Sequence, residues 1–350
     1  MIGLFRNIAL VGALTLLAAC GAEAERAGYV PTPLETPAPS GTHGVGYQTR
    51  VIGGVNVIAY YPTATRAAAT PAAQMTEPHI DNLTARFGAD ASARLAAGRG
   101  HAGENAPIAQ SVWPVIVFAP GWRLAAHDYR TLLEDIASRG YVVLAIADSP
   151  ASERPPYEET ANAINAVVNG LATAESDAFM QSLDTTQIGA MGHSVGGAAS
   201  SLAASQNEAI DAVVNLDGDF GGASEHALVR RPILYLTGSD PREQTHTHER
   251  RTRTFARITT DVDFAQAVQV RALRHFDFLD VALLRNEIRE ERRENRFGTL
   301  APARGIALSS ALSAAFFDQT LRGEADAFGL ALAATPEAGR PAAAVAASAD

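Results

Sequence analysis

The chain has 350 residues, 47% of them apolar and 19% charged, ample material for a core and too apolar for a disordered chain. Its formal net charge of −10 argues against nucleic acid as a partner. Every basic residue is arginine, and the absence of lysine excludes a P-loop, a Schiff-base enzyme and a Ser-Lys pair. The single cysteine, Cys20, excludes disulfides, Cys-based zinc sites and a Cys nucleophile within the domain. Serine, histidine and carboxylates are left to carry any chemistry.

Residues 1–19 carry Arg6 and then the apolar run Ile8–Ala19, too short for a comfortable membrane span and patterned as a signal peptide. The run ends Leu17-Ala18-Ala19-Cys20-Gly21, which resembles the bacterial lipoprotein box. That resemblance implies cleavage before Cys20, acylation of Cys20, and a lipid anchor in the cell envelope, with Gly21 favouring the outer membrane. Residues 20–44, rich in Pro, Thr, Glu and Ala, read as a flexible tether. Residues 45–325 are expected to form the domain and residues 326–350 a disordered tail.

Within 45–325 strand-like and helix-like segments alternate, which predicts an α/β fold with a mainly parallel sheet flanked by helices. Predicted strands are Val55–Tyr61, Val112–Ala119, Tyr141–Ala147, Gln187–Gly192, Ala209–Leu216, Pro232–Thr237 and Ala267–Leu273. A helix after Asp128 places Tyr129, Leu132, Leu133 and Ile136 on one face and ends at Gly140. Further helices are expected within 158–181, at Gly196–Ser205 and at about 306–321. Residues 63–111 read as an irregular or helical excursion near the site entrance. Residues 285–296, dense in both charges, read as a solvated face.

The most informative stretch is Gly192-His193-Ser194-Val195-Gly196-Gly197, a G-x-S-x-G motif between a strand and a helix. A Ser on so sharp a turn projects its hydroxyl above the sheet, and side chains at the flanking positions would collide, hence Gly192 and Gly196. The Val195 N–H then faces the site and can donate to an oxyanion. A Ser nucleophile needs a base and an orienting carboxylate. His275 directly follows a predicted strand, whereas His226, His246 and His248 fall in polar loops. Asp217 and Asp240 both end strands, where α/β sheets place their sites, and the residues alone leave the two open.

Together these segments resemble the α/β-hydrolases related to plasma-type platelet-activating factor acetylhydrolase. The likeness rests on Tyr60-Tyr61-Pro62, Pro114–Phe118, the Gly-His-Ser-Val-Gly-Gly run, Leu216-Asp217-Gly218 and His275-Phe276-Asp277-Phe278, in that family's order. The resemblance implies an α/β-hydrolase fold and ester hydrolysis through Ser194, His275 and Asp217. It favours Asp217 over Asp240 and makes the backbone N–H of Trp122 the partner of Val195 in the oxyanion hole. No cofactor or metal is implied, and the partner is a small-molecule ester, with short-acyl or acetyl lipid esters foremost. Pro120-Gly121-Trp122 departs from that family's mammalian members, which carry His-Gly there. It resembles bacterial polyester hydrolases of the cutinase-like type, in which the aromatic ring also lines the acyl site. A non-catalytic envelope lipoprotein using the fold for binding is the alternative from another class.

Overall fold

A computed structural model describes residues 31–66, 70–71, 75–174, 177–239 and 245–341. The segment read as a signal peptide and Cys20 lie outside the described residues, as does Asp240. Among the described residues ten strands form one sheet. In chain order they are β1 (Gly44–Ile52), β2 (Val55–Thr63), β3 (Ala102–Glu104), β4 (Trp113–Ala119), β5 (Val142–Ile146), β6 (Leu183–His193), β7 (Ala212–Leu216), β8 (Ile233–Ser239), β9 (Ala265–Arg271) and β10 (Ala338–Gly339). The spatial order is β10-β9-β8-β7-β6-β4-β5-β2-β1-β3. The six strands from β9 to β5 run parallel, and antiparallel pairing appears only toward the edges.

The central strands are unbroken apolar runs because both faces are covered: Val115–Ala119 of β4 and all of β5 are buried. One face takes α3 (Arg130–Ser138) and α7 (Pro302–Thr320), through Leu132, Ile136, Leu312 and Phe316. The other takes α4 (Tyr157–Gly170), α5 (Val195–Gln206) and α6 (Thr245–Ile258), through Ile164, Val167, Leu202 and Phe255. Gly140 ends the α3 region at φ 96°, the left-handed geometry that favours glycine after a helix.

Several boundaries differ from expectation. β1 precedes the first predicted strand and pairs with β2 across Gly53-Gly54, whose φ values of 58° and 78° suit a two-residue hairpin turn. The excursion 63–111 contains α1 (Glu77–Phe87) and α2 (Ala89–Ala96) and adds β3 to the sheet edge. The described part of the expected tether is docked: Leu34 is buried, and the Ser40 N–H and hydroxyl both donate to Asp135. The described part of the expected tail is also folded. It forms α8 (Ala327–Ala333), which buries Phe328 against Phe316 and Phe264, and β10, which pairs with β9. Apolar burial outweighs an Ala- and Pro-rich composition in both segments. His246 and His248 belong to α6 rather than a loop. No described helix is long and apolar enough to cross a membrane.

Candidate active site

Ser194 sits between β6 and α5 at φ 56° and ψ −124°, a conformation that an L-residue holds only under local compulsion. The compulsion is close packing. A Cβ on Gly192 would lie 2.3 Å from the Gly196 carbonyl carbon, and one on Gly196 would lie 2.1 Å from the Ala119 oxygen. The Ser194 N–H donates to the Leu216 carbonyl at 2.9 Å, which places the turn after β7 beside the serine.

That turn carries Asp217, itself at φ 50°. The Asn215 side-chain oxygen accepts the Gly218 N–H at 2.8 Å and holds the turn in shape. His275 lies on the loop after β9. Asp277, buried, accepts the N–H groups of Arg274 at 2.7 Å and Gly298 at 2.6 Å, so it closes the loop around the histidine.

The three side chains are brought into one line. The Ser194 hydroxyl lies 3.0 Å from His275 Nε2, and His275 Nδ1 lies 2.6 Å from Asp217 Oδ2. A carboxylate only accepts, so Nδ1 carries the proton and Nε2 is free to accept from Ser194. Burial pushes the Asp217 carboxyl up. The His275 hydrogen bond and the Arg251 guanidinium, 3.6 Å from Oδ1, outweigh it and hold the group below its usual range. Asp217 is therefore ionised at neutral pH.

Trp122 and Val195 both line a cavity of 350 Å³ with Ser194 and His275. Neither backbone N–H has a hydrogen-bond partner among the described residues. The Trp122 ring is half-buried, with its indole N–H donated to the Ser152 carbonyl at 3.2 Å. It is a wall of the cavity rather than a core aromatic. Among the described residues no group of three or more His, Cys, Asp or Glu is arranged to hold a metal.

Two residues of the site escaped sequence reasoning. His193 is fully buried behind Ser194, and its Nε2–H donates to the His275 carbonyl at 2.8 Å. Its Nδ1 must then accept, and the Tyr129 hydroxyl donates to it at 2.8 Å. The same hydroxyl accepts the Gly121 N–H at 3.1 Å. A single chain of hydrogen bonds therefore links the 120–122 loop to the backbone of the base. Burial, reinforced by the nearby His275, holds His193 well below the ordinary histidine range, so it stays neutral in this one tautomer. The only sequence signal was a polar residue at the first variable position of the motif.

Arg86, Phe276 and Arg296 also line the cavity. Arg86 ends α1, in the excursion expected near the site entrance. Arg296 lies in the charged run expected as a solvated face. Instead the Arg292 and Arg296 guanidinium groups donate to the Thr84, Ala85 and Arg86 carbonyls and hold the end of α1.

Residues 66–250, more than half of the chain, match the PETase family, described as PET hydrolase-like. Among curated proteins, Cutinase est2 of Thermobifida alba is 30% identical over 136 residues, 39% of this chain and 42% of that protein. Cutinase 2 of Thermobifida cellulosilytica is 28% identical over 136 residues, 39% of this chain and 48% of that protein. Each match thus spans less than half of the relative's length. Among solved structures, a ferulic acid esterase from Streptomyces cinnamoneus superimposes with TM-score 0.68 at 25% identity, covering 88% of this chain and 99% of that one. The fold is the α/β-hydrolase fold expected from the sequence. The family that matches is the one suggested by Pro120-Gly121-Trp122.

Proposed function

The chain belongs to the PET hydrolase-like family, and on that premise we propose that it is a serine ester hydrolase working through an acyl-enzyme. The observation that carries this reading is the Ser194–His275–Asp217 line, at 3.0 and 2.6 Å, below an open cavity. Ser194 attacks the ester carbonyl while His275 Nε2 takes its proton. Asp217 keeps the imidazole in the accepting tautomer and stabilises the imidazolium. The N–H groups of Trp122 and of Val195, the latter at the N-terminus of α5, receive the developing oxyanion, an interaction stronger in the transition state than in the ground state. His275 then protonates the departing alcohol, and water repeats the sequence to release the acid.

For substrate class, the half-exposed Trp122 wall and the cutinase relatives favour aryl and polyester-type esters over short-acyl lipid esters. A panel of nitrophenyl, polyester-oligomer and acetyl-lipid substrates separates the two. The hydrolase reading is tested with Ser194→Ala. The variant is expected to fold normally, to lose labelling by a fluorophosphonate probe, and to lose butyrate-ester turnover by roughly 10³-fold or more. Wild-type turnover in that variant would refute Ser194 as the nucleophile, and a wild type that neither labels nor turns over ester would leave a binding module in place of an enzyme.

A further inference from the structure

We propose that Arg86 and Arg296 adapt the Ser194 cavity to esters that carry a second, anionic group, a carboxylate or a phosphate. This rests on the hydrolase reading and specifies its substrate. The chain bears a net charge of −10, yet the residues lining this cavity include two arginines and no carboxylate. Arg86 donates to the Trp122 carbonyl at 3.3 Å, and Arg296 donates to the Arg86 carbonyl at 2.7 Å. Each therefore uses one of the five N–H donors of a guanidinium. Neither forms an ion pair with a carboxylate among the described residues.

Asp128 attracts Arg86 through space, but that carboxylate is already engaged by His79 at 3.1 Å and by the Ala125 N–H at 2.9 Å. Arg296 lies over the rings of Phe87 and Phe276, at 5.6 and 5.9 Å, beside the catalytic loop. Burial and like-charged neighbours hold both groups below the ordinary arginine range. Two partly buried cations, neither in an ion pair, beside a nucleophile, are a standing electrostatic cost. A bound anion removes that cost and gains a forked, charge-assisted contact. Holding the end of α1 engages one N–H of Arg296 and bracing the Trp122 carbonyl engages one of Arg86, which leaves the charge of both groups at the cavity unanswered. An anionic substrate accounts for both.

The test compares kcat/KM within two matched pairs. Monoethyl adipate is set against its uncharged isostere, in which an isopropyl group replaces the carboxylate. Glycerol phosphate monoacetate is set against glycerol monoacetate. The wild-type enzyme is expected to prefer the anionic member of at least one pair by about tenfold, a preference that shrinks as salt is raised. The pair that responds distinguishes carboxylate from phosphate. Arg86→Gln and Arg296→Gln keep a donor for the backbone carbonyls and should each erode the preference, the double variant abolishing it. Calorimetry of monoethyl adipate on Ser194→Ala supplies a readout without turnover. Binding that both arginine variants weaken upholds the anion site even if no ester is hydrolysed, an outcome that would refute only the hydrolase reading. Equal kcat/KM within both pairs, or a preference indifferent to salt and to the double variant, overturns the proposal.

Discussion

Removing the Tyr129 hydroxyl isolates the hydrogen-bond chain behind the nucleophile. Tyr129 is fully buried with its ring against Phe118 and His193, so Tyr129→Phe keeps the packing and deletes one oxygen. That oxygen serves two buried partners, the Gly121 N–H at 3.1 Å and His193 Nδ1 at 2.8 Å. Leaving a buried polar group unsatisfied costs about 1–3 kcal/mol, so with two coupled groups the variant should lose about 2–4 kcal/mol of stability. The kinetic effect follows from position. Gly121 immediately precedes Trp122, whose N–H is a proposed oxyanion donor, and His193 holds the His275 carbonyl. Complete loss of such a donor costs about 2.7–4 kcal/mol in the transition state, which sets the ceiling. A donor that is loosened rather than lost should cost roughly tenfold to a hundredfold in kcat, with KM little changed, because the interaction belongs to the transition state. Urea unfolding gives the first quantity and steady-state hydrolysis of a nitrophenyl butyrate the second. Wild-type kcat in a destabilised variant would reduce the chain to a structural brace. Wild-type values of both would refute the reasoning.

Two other expectations concern carboxylates. Asp217→Asn preserves shape but favours the wrong His275 tautomer, an exchange that cost about 10⁴ in kcat in the serine-protease case; Asp240→Asn should be mild, and the reverse ranking in the same ester assay would displace Asp217 as the orienting group. Asp280, fully buried beside Arg130 and bonded to the Thr131 N–H, is pushed by burial to about 7, only partly offset by Arg130. A folded-state value raised above the unfolded one contributes stability below the unfolded value that is lost as pH rises through the folded one. Wild-type stability should therefore fall between about pH 4 and 7, by on the order of a few kcal/mol from this group, and flatten above. Asp280→Asn should remove that slope, and parallel stability–pH curves for the two proteins would refute the assignment.

The parts of the site that were legible in the sequence are those whose causes are local. Gly192 and Gly196 are required by backbone contacts within the turn itself, so the motif declares the nucleophile. The continuous apolar runs of β4 and β5 declare strands covered on both sides. The Gly53-Gly54 turn was equally local, flanked by Val51-Ile52 and Val55-Asn56-Val57, and the hairpin signal was there to be used. The choice between Asp217 and Asp240 was of another kind. Both follow strands predicted from the sequence, and what the structure adds for Asp217 is sheet order: β7 lies directly beside β6, and the Ser194 N–H reaches the Leu216 carbonyl. Strand neighbours are set by long-range pairing that no window of residues contains.

The charged run shows the same limit at a surface. By composition, residues 285–296 resemble any solvated face, and a count of charges cannot say which guanidinium turns inward. What turns Arg292 and Arg296 inward is the C-terminal end of α1, some two hundred residues earlier in the chain, where the last carbonyls run out of helical N–H donors although Thr84 also accepts the capping N–H of Gly88. Arginine suits that position better than lysine. Arg292 Nη1 reaches the Thr84 and Ala85 carbonyls at 2.8 and 3.0 Å, while Arg296 spans from the Arg86 carbonyl to the face of two phenylalanine rings. A planar fork can cap a helix and still present an edge to a cavity, whereas an ammonium on a flexible stem has no fixed edge to present. In a chain with no lysine, Arg296, which helps close α1 onto the catalytic loop, is thereby also able to read the charge of what enters.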